Sequence, residues 1–554
     1  MGDEPMLLLN IIFIIISLCL ILLRLLNRKK HNAFFNNLYE KIKLHVNKHY
    51  KILILILFIL TIFTSVFKLG TVPYGLHVDE AGMAYDATSI VKYGVDRYLN
   101  HFPIYLINYG GGQSAMYAYM AALFIKIFGF SVIIIRMPAV ILRVLIFVCG
   151  YFIIKNENNK LKSLTFLFLL TVVPYFIMQS RWGLDCNLLV EFLTISVCFF
   201  IQAIMKNSNK LLLVSGILFG LSLYTYALSY IIIPILLFLL CIYLLYIKKL
   251  NVKKLIILGV PVFLLAVPLI LMILINNGFI SEIKGIITIP LLKNYRGMEI
   301  SLKNIPRSLY MLGTVFTFDG FIYNAIPYYG TIYYCTIPFF IIGFIIGLKN
   351  FYHSIKERKF NINVVFIFWF FSVVICQLLI AGPNINKANA IFVPIIYFIA
   401  IGIVGITRKT KPLILLIFLI IIINFGLFFN YYFYHYNNEM KSENLFATDY
   451  LDAIEYSKNL GGQNVYIAPN LTVQEYIYVL LNNSVSPYNY SQNNIKTTYN
   501  NIEITYTFNI PEDIDLNAVY IIGNNENLLN KFTNLGFNHT NFRELTVFYN
   551  IDKL

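Results

Sequence analysis

Apolar residues gather in stretches close to the roughly 20 positions needed to cross a hydrocarbon core, and polar residues are largely confined to the gaps between them. Twelve membrane spans are expected, several of them short, near 7–26, 51–69, 132–154, 164–178, 187–205, 211–228, 230–247, 254–275, 332–348, 362–381, 391–406 and 412–430. The gap at 70–131 is too long for a connector and has helical patterns of its own. In it, Asp79 is expected to cap a helix that runs to about Tyr93 and stops at Gly94, with Met83, Ala87, Ile90 and Val91 on one face. After the glycines at 110–112, Met116 to Phe128 reads as a second helix, too short to span and placed at the membrane interface. From about Asn437 the apolar runs shorten and begin to alternate. Helices at 443–459, 471–482 and 526–535, between strand-like runs at 465–467, 502–508, 519–522 and 545–549, predict a small soluble α/β domain. Three parts follow: an N-terminal anchor helix and basic loop over 1–50, a multi-span domain over 51–436, and the α/β domain over 437–554.

Composition agrees with this division. With 58% hydrophobic and 13% charged residues and a mean hydropathy of +0.71, the chain is not a soluble globule. Its net charge of +16 does not signal nucleic acid. The cations sit in alternate short loops, around Arg24 to Lys51, Lys155 to Lys162, Lys206 to Lys210, Lys248 to Lys254, Lys349 to Lys359 and Arg408 to Lys411. By the positive-inside rule those loops are cytoplasmic. Loops 70–131, 179–186, 276–331 and 382–390 then face outward, with everything after 430. Met1 to Pro5 carries Asp3 and Glu4 rather than a basic region, so the first segment is expected to be an anchor that starts outside, not a cleaved signal peptide. The seven cysteines lie in or beside spans and show neither a disulfide framework nor a metal-ligand spacing.

The candidate chemistry collects in the outward loops. Asp79 and Glu80 stand beside a span, where partial desolvation raises a carboxylate toward the pKa of a general base; the plainer reading is a helix cap with an acidic first turn. His77, Asp86, Asp96 and Arg97 make the surrounding cluster denser than capping requires. The turn Gln179 to Asn187 brings together Arg181, Trp182 and Asp185. Asp185 is placed to pair with Asp79 across a site and Arg181 to bind a phosphate, against a headgroup anchor and a cap as the alternatives. In Gly382 to Asn389, Lys387 is a lone outward cation beside Asn386 and reads as a phosphate ligand or an interface anchor. Tyr109, Gln113 and the glycines between them line a sugar site or simply form a connector. Asp513-Ile514-Asp515 imitates the acid-x-acid element that holds a metal and a nucleotide sugar, but in an outward domain it is a turn before a strand.

The stretch from His77 to Gln113, with Val-Asp-Glu-Ala, Gly94-Val95-Asp96-Arg97 and Tyr109-Gly-Gly-Gly-Gln113, resembles bacterial membrane glycosyltransferases related to the protein O-mannosyltransferases, and Arg136-Met137-Pro138-Ala139 also fits them. The resemblance is specific over roughly residues 75–190. It implies a C-type multi-span fold and a polyprenyl-phosphate sugar donor used outside the cytoplasm. Carried over, Asp79 matches the first-loop acid that serves as base, Asp185 an acid of the second outward loop, and Glu80 a neighbour orienting the acceptor. Loop 276–331 is too short for the sugar-binding insertion of the eukaryotic enzymes, and the Trp-Trp-Asp signature of oligosaccharyltransferases is absent, so the acceptor stays open among protein, glycan and lipid. A lipid phosphate leaves directly from the anomeric carbon, which calls for a base on the attacking hydroxyl and cations on the phosphate. No cofactor is demanded, and a divalent cation stays open. The rival readings are a lipid-linked sugar flippase, which should carry ionisable groups in mid-span, and a polysaccharide polymerase, which differs only in donor.

Overall fold

The computed structural model describes residues 3–26, 33–108, 111–157, 159–293, 295, 300–407, 413–438, 446, 449–468, 476–489, 494–543 and 545–550. Among them, ten helical segments are long and apolar enough to cross a membrane. Helices α1 (Asp3–Leu26) and α2 (Ala33–Val66) come first, followed by two helices in the long loop, α3 (Val78–Tyr93) and α4 (Met116–Phe128). Helix α5 (Val132–Lys155) returns to the membrane domain. The expected span at 164–178 is α6 (Lys160–Val172), which stops before Pro174 and resumes as α7 (Pro174–Gln179); Pro has no N–H to donate and suits a first helical turn. Then follow α8 (Asn187–Met205), α9 (Asn209–Ser222), α10 (Ser229–Tyr246), α11 (Val252–Asn276), α12 (Ile305–Thr314), α13 (Ile337–Glu357), α14 (Ile362–Leu379), α15 (Ile385–Ala388), α16 (Phe392–Thr407) and α17 (Leu413–Tyr434). With α9 only 14 residues long, two of the twelve expected spans are shorter than a full crossing.

Small residues set the closest helix contact. A Cβ on Gly343 of α13 would lie 1.7 Å from the Phe398 carbonyl of α16, and one on Gly402 of α16 would lie 1.9 Å from the Phe339 carbonyl of α13. The two backbones touch, as small residues permit between membrane helices.

The C-terminal region is the expected α/β domain. Its six strands are β3 (Asn464–Ile467), β4 (Asn494–Tyr499), β5 (Ile502–Thr507), β6 (Val519–Gly523), β7 (Asn538–Asn541) and β8 (Leu545–Tyr549). They lie in the order β4-β5-β3-β6-β8-β7, with β3 parallel to β5 and β6 and the other pairs antiparallel. Alternation sorts the faces. Val519 and Ile521 pack with Val465, Ile504 and Val547 on one side, while Tyr520 and Ile522 meet Phe532 of the helix Glu526–Asn534 on the other. Strands β4 and β7, which the sequence pattern does not reveal, are the two edges of the sheet. Their polar alternation reflects an exposed border, not a loop. Helices Tyr450–Asn459 and Tyr476–Asn482 lie within the predicted ranges; residues 443–445, 447–448 and 471–475 of those ranges are outside the described residues. Asp515 accepts the Asn517 N–H at 2.9 Å in the turn before β6, as expected of a turn acid.

One sheet core does not end at the domain boundary. It continues into Leu76, Ala81, Ala84 and Tyr85 at the start of α3 and Ile135 of α5. The Tyr478 hydroxyl donates to the Leu76 carbonyl at 3.0 Å and the Tyr85 hydroxyl to the Val485 carbonyl at 2.7 Å. The domain is thereby seated on the helix that carries the Asp79-Glu80 pair.

Candidate active site

Helix α3 begins two residues earlier than its sequence pattern predicts. The cap is His77, whose Nδ1 accepts the Asp79 N–H at 3.2 Å; Gly94 ends the helix in the left-handed region, as expected. Asp79 is thereby released from capping. Its Oδ1 accepts from Asn108 Nδ2 at 2.9 Å, and its side chain keeps 34% exposure. With Nδ1 used as an acceptor, a neutral His77 carries its proton on Nε2.

The other three acids between residues 79 and 96 are locked. Glu80, fully buried, takes a two-pronged ion pair from Arg136 at 2.9 and 3.0 Å and the Gly183 N–H at 2.7 Å. Arg136 also donates to the carbonyls of Leu69, Pro73 and Gly75, so this pair ties α3, α5 and two loops together. Asp86 is held by the Arg97 guanidinium at 2.8 to 3.1 Å and by the Arg97 N–H at 3.0 Å. Asp96 closes its own turn, accepting from the Tyr98 and Asn100 amides and from Asn100 Nδ2. Arg97 reaches Asn108 Oδ1 at 3.4 Å, which orients the amide that bonds Asp79. Gly82 makes room for this chain of contacts, since a Cβ there would fall 2.6 Å from Arg97 Nη2 and 3.1 Å from Asn108 Oδ1.

The glycine-rich stretch is a hairpin of β1 (Tyr105–Asn108) and β2 (Gly111–Ser114), with Asn108 opposite Gly111. Short polar strands rich in glycine lack the alternation that announces a strand, so only the turn was legible. This hairpin serves both candidate acids: Asn108 of β1 bonds Asp79, and the Ser114 N–H of β2 bonds Asp185 Oδ2 at 3.1 Å. Asp185 also accepts the Cys186 N–H at 2.8 Å. Burial first, and the nearby Asp79 charge second, push the Asp185 carboxyl up to about 7. Burial and the neighbouring Asp86 likewise bring Asp96 to about 6. Folded protein therefore holds these protons more tightly than unfolded chain, so this stability is full below the ordinary carboxylate pKa of about 4 and is lost as pH rises toward 7. Asp185→Asn is expected to flatten that decline in melting temperature between pH 5 and 7.5, as read by scanning fluorimetry.

The remaining loops join through amides. Asn187 Nδ2 donates to the Gln179 carbonyl at 3.1 Å, Gln179 Nε2 to the Asn324 carbonyl at 3.5 Å, and Asn324 Nδ2 to Asp319 at 2.8 Å. The same Asp319 oxygen accepts the Ile385 N–H at 2.9 Å, and Asn389 Nδ2 donates to the Cys186 carbonyl. Lys387, which the Asn384 side chain caps into α15, donates to the Ala381 and Gly382 carbonyls at 3.1 and 2.8 Å, leaving one of its three protons for a ligand. Side-chain oxygens of Gln113, Gln179, Asn324, Asn386 and Asn389 are buried without a hydrogen-bond partner among the described residues, as is the Trp182 Nε1. Trp182 packs with His77, Tyr323 and Phe446. Glu191, one and a half turns into α8, is buried as well. Tyr109 lies outside the described residues.

Arg181 corrects an expectation. Its five N–H donors go to the carbonyls of Thr64, Ser65, Phe67 and Val72, the last of which takes two, with Phe433 under its guanidinium. It closes the end of α2 and has no donor left for a phosphate. Arg181→Lys, with three donors in place of five, is expected to cost about 3 kcal/mol of stability and lower the melting temperature while leaving the KM for a lipid donor unchanged. Sequence reasoning missed Asn108 and Asp319, a single amide and an acid with no spacing to mark them, and named Gln179 and Asn389 only as the ends of candidate turns.

Helices, loops and sheet domain define a polytopic membrane protein with the C-type glycosyltransferase fold. Over residues 113–272 the chain matches the family described as dolichyl-phosphate-mannose-protein mannosyltransferase. That match includes Asp185 and the end of the hairpin's second strand, Gln113 and Ser114, but not Asp79, and it overlaps the 75–190 resemblance from residue 113 onward. No curated protein matches the chain by sequence. Among solved structures, ArnT from Cupriavidus metallidurans bound to undecaprenyl phosphate is similar with a TM-score of 0.56 and 8% identity, over 90% of this chain and 97% of that one. The apo state of ArnT gives 0.51 and 9%, over 91% and 98%. The archaeal oligosaccharyltransferase AglB from Archaeoglobus fulgidus gives 0.48 and 12%, over 79% and 64%.

Proposed function

We propose that this protein transfers a hexose from a polyprenyl-phosphate donor to an acceptor outside the cytoplasm, by direct displacement with Asp79 as general base. One observation carries the assignment: of the four acids between residues 79 and 96, Asp79 alone keeps a partly exposed carboxylate, positioned by one amide while its neighbours are consumed by structure. A carboxylate held in that way accepts the proton of an attacking hydroxyl as the glycosidic oxygen leaves with the lipid phosphate, inverting the anomeric centre. Asp185, held by the opposite strand of the same hairpin through the Ser114 N–H and titrating near neutrality, supports it by setting the charge around Asp79. Glu80 is a positioning residue. For the departing phosphate the available donors are His77 Nε2–H and the free proton of Lys387, in place of Arg181.

Buried oxygens with no partner on Gln113, Asn386 and Asn389 suit the hydroxyls of a sugar, since such groups are rarely left unsatisfied in a folded chain. Sidedness rests on the basic loops, which the positive-inside rule assigns to the cytoplasm. The similar ArnT structure carries undecaprenyl phosphate, a donor-type lipid that fits this reading. Mass spectrometry of surface glycans, glycoproteins and lipids, with and without the gene, tests it: loss of one hexose from one acceptor class is expected, and an unchanged glycan and lipid profile overturns it.

A further inference from the structure

The sheet domain contains a cleft away from the candidate acids. It lies between the turn after the helix Tyr476–Asn482 and the edge strand β4, and has a volume of about 320 Å³, within the range of small-ligand sites. Its wall is made chiefly of amides and hydroxyls. Asn482 Oδ1 and Thr497 Oγ1 are shielded from solvent and have no hydrogen-bond partner among the described residues. One can accept and the other can donate or accept, the pairing that vicinal sugar hydroxyls satisfy. Both lining lysines are already neutralised, Lys458 by Glu455 and Lys496 by Glu503 at 3.0 Å, so the cleft offers no net charge to a polyanion. Its position is fixed relative to the candidate base. Val485, in the cleft wall, bonds Tyr85 of α3, about 9 Å of helix rise from Asp79.

We propose that this cleft binds an uncharged carbohydrate and holds the part of a glycan acceptor remote from its reacting hydroxyl. The acceptor role rests on the transfer reading above; carbohydrate binding does not. Remote contacts of this kind orient an acceptor without taking part in the bond change.

The test is titration of the full-length protein in detergent with neutral oligosaccharides of two to four hexoses, read by saturation-transfer NMR, with poly(glycerol phosphate) as the anionic comparison. Saturable binding of a neutral oligosaccharide is expected. It should weaken at least tenfold in Thr497→Val, which removes the hydroxyl but keeps the shape, and in Ser486→Trp, which adds bulk to the turn that forms the facing wall. Both variants should melt as the wild type does. Absence of neutral binding, binding unchanged in both variants, or preference for poly(glycerol phosphate) overturns the cleft assignment. Asp79→Asn should bind the oligosaccharide normally while transferring nothing. Oligosaccharide binding by a wild-type chain that transfers no sugar removes the acceptor role and the transfer reading but leaves the cleft.

Discussion

Replacing Asp79 by Asn is expected to slow sugar transfer by about 10³-fold, the range lost with a general base, while KM for the lipid donor and the melting temperature stay near wild type. The substitution is mild for the fold. His77 caps the helix through the backbone N–H of residue 79, and an Asn Oδ1 still accepts from Asn108 Nδ2. Only the capacity to take a proton is removed. Removing Asn108 instead, as Asn108→Ala, is expected to reduce kcat less, because the carboxylate survives and only its aim is lost. Both are measured as initial rates with purified protein and a synthetic polyprenyl-phosphate hexose.

Glu80→Ala is expected to fail differently, by loss of fold. The side chain is fully buried, and its removal leaves the Arg136 charge unpaired and the Gly183 N–H without its acceptor. Breaking one side of a buried pair costs about 3–5 kcal/mol, and here the pair joins α3 and α5 to both loops that carry the candidate acids. Fluorescence-detected size exclusion should show little folded protein. The double variant Glu80→Leu with Arg136→Met should recover part of it, because two apolar groups of similar volume leave no orphan charge. If Glu80→Ala instead folds and melts like wild type but cannot transfer sugar, Glu80 touches the substrate and the acceptor-orienting role implied by the family resemblance returns.

The adjacency of Asp79 and Glu80 thus misleads as much as it informs. Hydropathy makes the spans, the long loop and the C-terminal domain legible, because burial in lipid writes a long, strong pattern. The strong strands β3, β5, β6 and β8 were legible for the same reason: each presents apolar residues to a core. Edge strands β4 and β7 and the β1–β2 hairpin were not, since half their backbone faces water or a polar site and nothing forces alternation. Which acid is free depends on partners far away in the chain. Arg136 lies 56 residues from Glu80, and Arg181 is spent on carbonyls more than 100 residues away. Sequence composition reports that such groups are present; only the fold decides which of them are already used.

The most direct test of the account is the fate of the donor lipid when purified wild-type protein is reconstituted in vesicles with polyprenyl-phosphate hexose and an acceptor extract. Mass spectrometry should show free polyprenyl phosphate accumulating with one hexose gained by an acceptor, and neither product with Asp79→Asn. Intact donor crossing the bilayer with no polyprenyl phosphate formed, or Asp79→Asn releasing it at the wild-type rate, would contradict it.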